Sequence, residues 1–142
     1  MLWFTRVRSH SMAPTLFDGS LALTRRLGRG APVRRGDLVV MDSRELGQAM
    51  VKRIIGLPGE TVAIRDGQVC IDDRALAEPY ASPSVFSDTY RVPPGHYFLL
   101  GDNRDTSSDS RTWRQPYIAR NAILGRILRW PWARQAQELT QA

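Results

Sequence analysis

The stretch that most directly decides the fold class lies in the middle of the chain and reads Thr61-Val62-Ala63-Ile64-Arg65-Asp66-Gly67-Gln68-Val69-Cys70-Ile71. Two runs of alternating or β-branched residues flank the dipeptide Asp66-Gly67. That dipeptide is the strongest short-range signal for a hairpin turn, because both of its residues tolerate the positive φ angles that a two-residue turn requires. The stretch therefore predicts two antiparallel strands joined by a tight turn.

Further short strands are predicted on both sides of the hairpin, because brief apolar runs alternate with turn signals. Residues 25–35 are predicted to form an exposed basic loop. Residues 72–93 are predicted to form an irregular segment without regular secondary structure, here called the excursion. A helical turn is predicted at residues 117–120. The pattern predicts an all-β protein in which short antiparallel strands form a compact coiled or barrel-like fold with very little helix. The predicted strands are residues 5–9, 21–24, 38–41, 50–55, 97–100 and 123–130.

A chain of 142 residues, 42% of them hydrophobic, can bury one core. We therefore expect a single domain over residues 1–142, with its core at about 5–64 and 95–130 and the hairpin and excursion at 65–94. Cys70 is the only cysteine, which excludes an internal disulfide and a cysteine-based zinc site. No metal or other cofactor is expected.

The formal net charge is +6, and Lys52 is the only lysine among 20 basic residues. Such a charge suits an anionic membrane surface or simply a solvated basic surface. No basic run with interleaved aromatics predicts a nucleic-acid partner. No run of 18 apolar residues predicts a membrane-spanning helix, and Met1-Leu2-Trp3-Phe4 is too short for a secretory signal, although it would also fit the end of a lost anchor.

Two serines, Ser9 and Ser11, precede a turn at Met12-Ala13-Pro14-Thr15. In an extended strand their side chains point to the same face and that of His10 points away. This geometry argues against a serine–histidine pair. His96 follows a turn and has no suitably spaced partner, so we expect structural roles for both histidines.

Lys52 is the remaining candidate base, since a serine nucleophile needs a base that the fold brings to it. It lies in the apolar run Met50-Val51-Lys52-Arg53-Ile54-Ile55. An ordinary lysine is neutral only about one part in a thousand at pH 7, but burial can lower its pKa by several units. The alternative is a lysine whose head reaches water beyond an apolar stem. This stretch alone leaves both interpretations open.

The loop Gly101-Asp102-Asn103-Arg104-Asp105-Thr106-Ser107-Ser108-Asp109-Ser110-Arg111 is unusually polar. It could supply the hydrogen bonds that hold a site in place. It could also be a solvated turn. A calcium loop is disfavoured, because the glycine and terminal glutamate of such loops are missing.

Four segments resemble, in order, the sequence boxes of the type I signal peptidases, a family of serine–lysine dyad proteases. They are SHSMAPTL, GDLVV, VKRIIGLPGE and GDNRDTSSDSR, and the resemblance covers about residues 5–130. It implies a catalytic domain in which Ser11 is the nucleophile and Lys52 the general base. It further implies that the hydroxyl of Ser9 joins the backbone N–H of Ser11 as an oxyanion donor.

The resemblance also implies supporting roles. Ser107 would orient Lys52, Asp109 and Arg111 would form a buttressing ion pair, and Asp102 and Arg53 would support that pair. A signal peptide of an exported preprotein would add as a strand between residues 7–9 and 49–51 and would be cut after small residues. Shallow apolar pockets for it are expected from Val7, Met12, Leu16, Met50 and Val51.

The family implies a location at the membrane, with the active site on the extracytoplasmic face of the cytoplasmic membrane. Leu2-Trp3-Phe4 and Leu128-Arg129-Trp130-Pro131-Trp132 suit a headgroup region, so we expect both ends of the domain to face the bilayer. The sequence departs from the family at His10, where small residues are common, and at Thr106, where asparagine is common.

Three alternatives stay open. A specialised protease that matures one soluble precursor, of the nickel superoxide dismutase type, would be cytoplasmic and would need no membrane span. A self-cleaving repressor would need a DNA-binding domain, and only ten residues precede Ser11. A non-catalytic basic β-domain would bind an anionic surface without any activity.

Overall fold

The structure is a computed structural model that describes residues 1–128 of the chain. Within these residues the backbone forms eleven strands and one 3-10 helix, Arg120–Ala122, which confirms the all-β prediction. The strands are β1 (Leu2–Arg6), β2 (Leu21–Arg26), β3 (Leu38–Ser43), β4 (Gln48–Gly56), β5 (Thr61–Arg65), β6 (Gln68–Ile71), β7 (Arg74–Ala75), β8 (Asp88–Arg91), β9 (His96–Leu100), β10 (Tyr117–Ala119) and β11 (Ile123–Ile127).

A seven-stranded antiparallel sheet has the spatial order β1-β2-β11-β3-β4-β9-β10. Residues 38–41 of its strand β3 form a continuous apolar run, and successive side chains on a strand point to opposite faces. Val40 accordingly packs into one buried cluster and Val39 into another. Strand β4 pairs with β3 and is buried from Val51 to Gly56, so any polar side chain on this part of β4 lies inside the protein.

The predicted hairpin is present as β5 and β6, the middle of a four-stranded sheet with the order β7-β6-β5-β8. Asp66 and Gly67 both have positive φ, 48° and 80°. Two consecutive positive φ values are the signature of a type I′ turn, whose twist matches that of the flanking strands. The local sequence therefore predicted this element correctly.

The two sheets approach each other at Gly56, the last residue of β4. A β-carbon at this position would lie 2.6 Å from Val62 Cγ2 and 2.9 Å from Phe98 Cβ, closer than such contacts normally come. The absence of a side chain lets the small sheet pack against β9 through a third buried cluster, to which both Val62 and Phe98 belong.

Several predicted boundaries were wrong. Only residues 5–6 of the strand predicted at 5–9 lie in a strand: β1 ends at Arg6, and residues 9–15 form a bend and turns. The reason is that Val7 bonds through its N–H to Ser20 O and through its C=O to Gly19 N–H, which closes residues 7–20 into a loop.

The excursion and the end of the domain also differ from expectation. Residues 72–93 contain the short strands β7 and β8, which complete the small sheet on either side of the hairpin. The helical turn predicted near 117–120 is strand β10, followed by the 3-10 helix. The last strand ends at Ile127, and residues 129–130 of its predicted range lie outside the described residues.

The helical structure found in residues 1–128 has neither the length nor the hydropathy needed to cross a bilayer.

Candidate active site

Ser11 begins the turn that follows the bend at residues 9–10. The turn closes when the backbone N–H groups of Thr15 and Leu16 donate to Met12 O. The side chains of Met12 and Leu16 are buried in the cluster beneath the turn. Two apolar anchors therefore hold Ser11 over the seven-stranded sheet, where its side chain is only slightly exposed.

Lys52 projects from the buried part of β4 and is 1% exposed. Its Nζ donates to Ser11 Oγ at 2.7 Å, a contact between residues 41 positions apart. Burial lowers the pKa of Lys52 to about 8, although the carboxylates of Asp109 and Asp102 oppose this shift. A neutral amine at this distance can accept the proton of the Ser11 hydroxyl. Because the side chain is buried, the alternative interpretation, in which the lysine head reaches water, is wrong.

Ser9 is close to Ser11, although not for the predicted reason, since the two residues do not lie on a strand. The two hydroxyl oxygens are 3.0 Å apart, and the backbone N–H of Ser11 donates to Ser9 Oγ at 3.3 Å. Both predicted oxyanion donors thus lie beside the hydroxyl of Ser11. His10 is exposed and contributes its carbonyl oxygen to the loop, where it accepts from Asn103 Nδ2 at 3.1 Å.

Arg53, the neighbour of Lys52, forms a buried ion pair with Asp102. Arg53 Nε donates to Asp102 Oδ1 at 2.8 Å and Arg53 NH2 donates to Oδ2 at 2.7 Å, while both side chains are at most 2% exposed. Thr15 Oγ1 also donates to Oδ2. This carboxylate therefore connects β4 with the turn that carries Ser11.

Asp109 and Arg111 form the predicted second pair. Arg111 Nε donates to Asp109 Oδ1 at 2.9 Å, and the carboxylate is fully buried. Asp109 Oδ2 also accepts the backbone N–H of Gly101 at 3.0 Å. The pair thus ties the end of the 101–111 loop to its start, just beyond β9.

Ser107 does not orient Lys52 through a hydrogen bond as predicted. Its Oγ is buried and has no hydrogen-bond partner among the described residues. The side chain instead packs over Gly101, where a β-carbon would come within 2.0 Å of Ser107 Oγ and 2.6 Å of Ser11 O. The Ser107 hydroxyl is therefore held close to the backbone of Ser11 without a hydrogen bond among the described residues.

Four of the five predicted pocket residues are buried rather than exposed in a groove. They pack together in one cluster because the turn folds its apolar side chains back onto the sheet, and only Met50 is half-buried. The four residues are Val7, Met12, Leu16 and Val51.

A free backbone edge lies next to Lys52. Strand β4 pairs with β3 from Gln48 to Arg53, but it pairs with β9 only from Arg53 to Gly56. Within residues 1–128, positions 48–52 therefore face no strand on the β9 side. An extended peptide could add there by backbone hydrogen bonds.

Sequence reasoning missed residues that support the loop from the excursion. Glu78 forms a buried ion pair with Arg104, and Tyr80 lies over Arg53 with the guanidinium carbon 3.7 Å from the ring centroid. These contacts join segments about 25 residues apart, and no local pattern marks them. The one available signal was the unusual number of arginines near the loop, since each buried arginine needs a partner.

No group of three or more His, Cys, Asp or Glu residues suited to a metal ion is found in the described part of the chain. Asp102 and Asp109 each bind an arginine instead.

Residues 1–132 match the family model described as signal peptidase, peptidase S26. The chain is 37% identical over 138 residues to a signal peptidase I of Leptolyngbya laminosa, and 38% identical over 118 residues to one of Bacillus licheniformis. These matches cover 88% and 74% of the chain, and 67% and 63% of the two relatives. The chain thus spans about two thirds of their length.

The fold is similar to the crystal structure of a signal peptidase I from Enterococcus faecalis V583. The TM-score is 0.61 at 32% sequence identity, and the match covers 69% of this chain and 97% of the other.

Proposed function

Because the chain belongs to the signal peptidase family, peptidase S26, we propose that it is a serine endopeptidase that removes signal peptides from exported preproteins after small residues. In this proposal Ser11 is the nucleophile and Lys52 the general base, within one catalytic domain. The observation that carries it is the 2.7 Å contact between Ser11 Oγ and the buried Nζ of the only lysine in the chain.

The reaction starts when neutral Lys52 takes the proton of Ser11 and the hydroxyl oxygen attacks the scissile carbonyl carbon. As the tetrahedral intermediate collapses, the carbon–nitrogen bond breaks and the Lys52 ammonium returns the proton to the leaving amine. An ester between Ser11 and the signal peptide remains. Lys52 then deprotonates a water, which attacks the ester, and Ser11 leaves with the proton.

Ser9 and the Ser11 backbone N–H are proposed to stabilise the negative oxygen of the intermediate. In the free protein this N–H donates to Ser9 Oγ. A carbonyl oxygen entering between them would take over that N–H and receive a second hydrogen bond from the Ser9 hydroxyl. Ser9 is exposed, so its hydroxyl has room to rotate.

The supporting residues are proposed to influence the pKa of Lys52 through the charges around it. Arg53 and Arg111 balance the charges of Asp102 and Asp109, which limits how far the two carboxylates oppose the lowered pKa of Lys52. Ser107, with its unpaired buried hydroxyl, remains the proposed orienting partner once Lys52 loses its proton or a substrate moves it.

The substrate is proposed to bind as an extended strand along positions 49–51 of β4, with residues 7–9 on its other side. Met50 is the one half-buried residue of the predicted pocket set and would contact a small side chain directly. The buried members of that set, such as Met12, would form the layer beneath the pocket. This arrangement fits a preference for small residues before the scissile bond.

The proposal is tested by cleavage of a peptide that carries an Ala-x-Ala site. Ser11→Ala and Lys52→Ala should reduce the rate to background, whereas Ser87→Ala, which removes an exposed hydroxyl elsewhere, should not. Retained activity in either dyad variant would falsify the mechanism. The alternative of a specialised maturation protease has no support from the relatives above, which are named signal peptidase I.

We further propose that the domain works at an anionic membrane surface, with its active site on the extracytoplasmic face. Strands β1 and β2 expose an apolar face on which Leu2, Phe4 and Leu21 are 54%, 60% and 41% exposed. Arg6 and Arg25 share this face by strand alternation and register. Apolar residues with arginines around them suit a headgroup region.

Trp3 does not belong to this face. It points to the other side of β1, where its ring lies next to Gly125. The second predicted membrane segment, residues 129–132, lies outside the described residues.

Sedimentation with vesicles at low salt tests the membrane proposal. The protein should bind phosphatidylglycerol vesicles and lose binding as salt rises. Leu21→Ser should weaken binding, whereas Leu46→Ser, at a position of matching exposure (42%) outside the face, should not. Equal losses in both variants, or no binding at low salt, would contradict the proposal.

A further inference from the structure

The structure assigns a positioning role to residues 78–86, here called the strap, which set the charge environment of Lys52 through Tyr80 and Phe86. The inference rests on the proposed function for the role of Lys52, whereas the contacts of the strap do not depend on that function. The strap belongs to the excursion for which the sequence predicted no structure.

Each aromatic ring of the strap backs one of two buried ion pairs, Arg53–Asp102 and Arg111–Asp109. The Arg53 guanidinium carbon is 3.7 Å from the centroid of the Tyr80 ring, and that of Arg111 is 5.5 Å from the Phe86 ring. A guanidinium this close to an aromatic face is attracted to it, and more strongly where water is excluded. One strap therefore supports both arginines.

Two further contacts fix the strap to the 101–111 loop, and a third lies within the strap. Glu78 pairs with Arg104 through both carboxylate oxygens, and Tyr80 Oη donates to Glu78 Oε2 at 2.9 Å. The backbone N–H of Ser82 donates to Asp102 O at 2.9 Å. The tyrosine hydroxyl and ring thus act on different groups, which allows them to be separated by mutation.

The charged groups that act on Lys52 come from this arrangement. Asp109 and Asp102 face it from the 101–111 loop and favour its protonated form. Arg53 on β4 and Arg111 on the loop each bind one of these carboxylates. A strap ring lies against each of these two arginines. If a ring is displaced, its arginine is held less firmly and compensates the charge of the neighbouring carboxylate less well.

In the described part of the chain, strand β3 and the turn present uncharged groups to Lys52. Strand β3 pairs Val39 with Lys52, and the turn presents the hydroxyl of Ser11. The neighbouring His10 is exposed.

Removing a strap ring should raise the pKa of Lys52. Without the ring the arginine is held less firmly, so the negative charge of its carboxylate is less compensated and acts more strongly on Lys52. This favours the ammonium form. A shift of about one unit would leave roughly one tenth as much neutral lysine at pH 7.

The single lysine makes this measurable without any activity. Lysine labelled with ¹³C at the ε carbon gives one side-chain resonance, whose titration reports Lys52 alone. We expect Tyr80→Leu and Phe86→Leu each to raise the measured pKa by about one unit. Tyr80→Phe, which keeps the ring but loses the bond to Glu78, should leave it near the native value.

Tyr117→Leu is the matched control, because Tyr117 is another half-buried tyrosine that packs against the same core cluster. Its substitution should not move the lysine titration. Circular dichroism checks that each variant is folded. Tyr80→Leu and Phe86→Leu act on different arginines, so a folded form of either one is enough for the test.

Unchanged titration in a folded leucine variant would overturn the inference, as would an equal shift in Tyr117→Leu. If the proposed function is also right, the acidic limb of kcat/KM should move to higher pH with the titration, and activity should recover at high pH. If the titration shifts but the native protein shows no protease activity, the proposed function is wrong and the positioning role of the strap still holds.

Discussion

Gly101 and Ser107 lie so close together that a β-carbon on Gly101 would sit 2.0 Å from Ser107 Oγ. Ser11 O would be 2.6 Å from the same carbon. Glycine just beyond β9 is therefore a condition for the turn that begins at Ser11 and the 101–111 loop to touch.

We expect Gly101→Ala to reduce activity at least tenfold and to destabilise the protein by about 1–3 kcal/mol, as overpacking typically does. Gly28→Ala is the matched control, since a β-carbon there would meet nothing within 4 Å. Peptide cleavage and thermal unfolding measure the two effects. A Gly101→Ala variant as active as Gly28→Ala would mean that the contact between turn and loop has no role in catalysis.

Ser107→Ala should affect activity more than stability. Its Oγ makes no hydrogen bond among the described residues, so little stabilising energy is lost with it. Ser110 provides the contrast, because its buried Oγ accepts the backbone N–H of Leu99 at 2.9 Å. Ser110→Ala should cost about 1–3 kcal/mol in urea unfolding. If Ser107→Ala leaves kcat unchanged, Ser107 does not orient Lys52 in the working enzyme.

Asp102→Asn should strongly destabilise the protein, by about 3–5 kcal/mol, because Arg53 would remain buried without its counter-charge. The exposed Asp105, in the same loop, is the control, and Asp105→Asn should change the free energy of unfolding by less than about 0.5 kcal/mol. A small effect of Asp102→Asn would show that water reaches the pair.

Lys52→Met should abolish activity and yet stabilise the fold near pH 7. The pKa of Lys52 falls to about 8 on folding, so the unfolded chain binds more protons between about pH 8 and 10.5. The native protein therefore carries a penalty of about 3 kcal/mol below pH 8, and the penalty disappears as the pH rises through this window. Unfolding at pH 7 and pH 10 should show the advantage of Lys52→Met shrinking. A constant difference would contradict a lowered pKa.

Ser9→Ala should lower kcat by about 10²–10³ with little change in KM, because an oxyanion donor acts only in the transition state. Ser9→Thr keeps a hydroxyl and should retain part of the rate. Steady-state cleavage separates the two constants. A change confined to KM would place Ser9 in substrate binding instead.

The features predicted best from the sequence are those that depend on residues close together along the chain. The hairpin at Asp66-Gly67 was correct because its two φ angles are local properties. The bounds of the strand predicted at residues 5–9 were wrong because Val7 bonds to Ser20, a partner that no local pattern reveals.

For the candidate site, the apolar strand around Lys52 left burial and a solvated lysine head equally open, and the approach of Lys52 to Ser11 was implied by the family resemblance alone. The contact of Tyr80 with Arg53 was not predictable, because it depends on how the excursion folds back over the loop. Four of the five predicted pocket residues are buried for a related reason: apolar side chains near a site can equally well pack beneath it.

The bond from the Asn103 side chain to the carbonyl of His10 spans 93 positions. Contacts this distant close late in folding, because a long loop must be ordered before they form. The surroundings of Ser11 are therefore complete only when the 101–111 loop has been synthesised and has folded back onto the turn. We expect the proposed active site to form at that stage, late in the folding of residues 1–128.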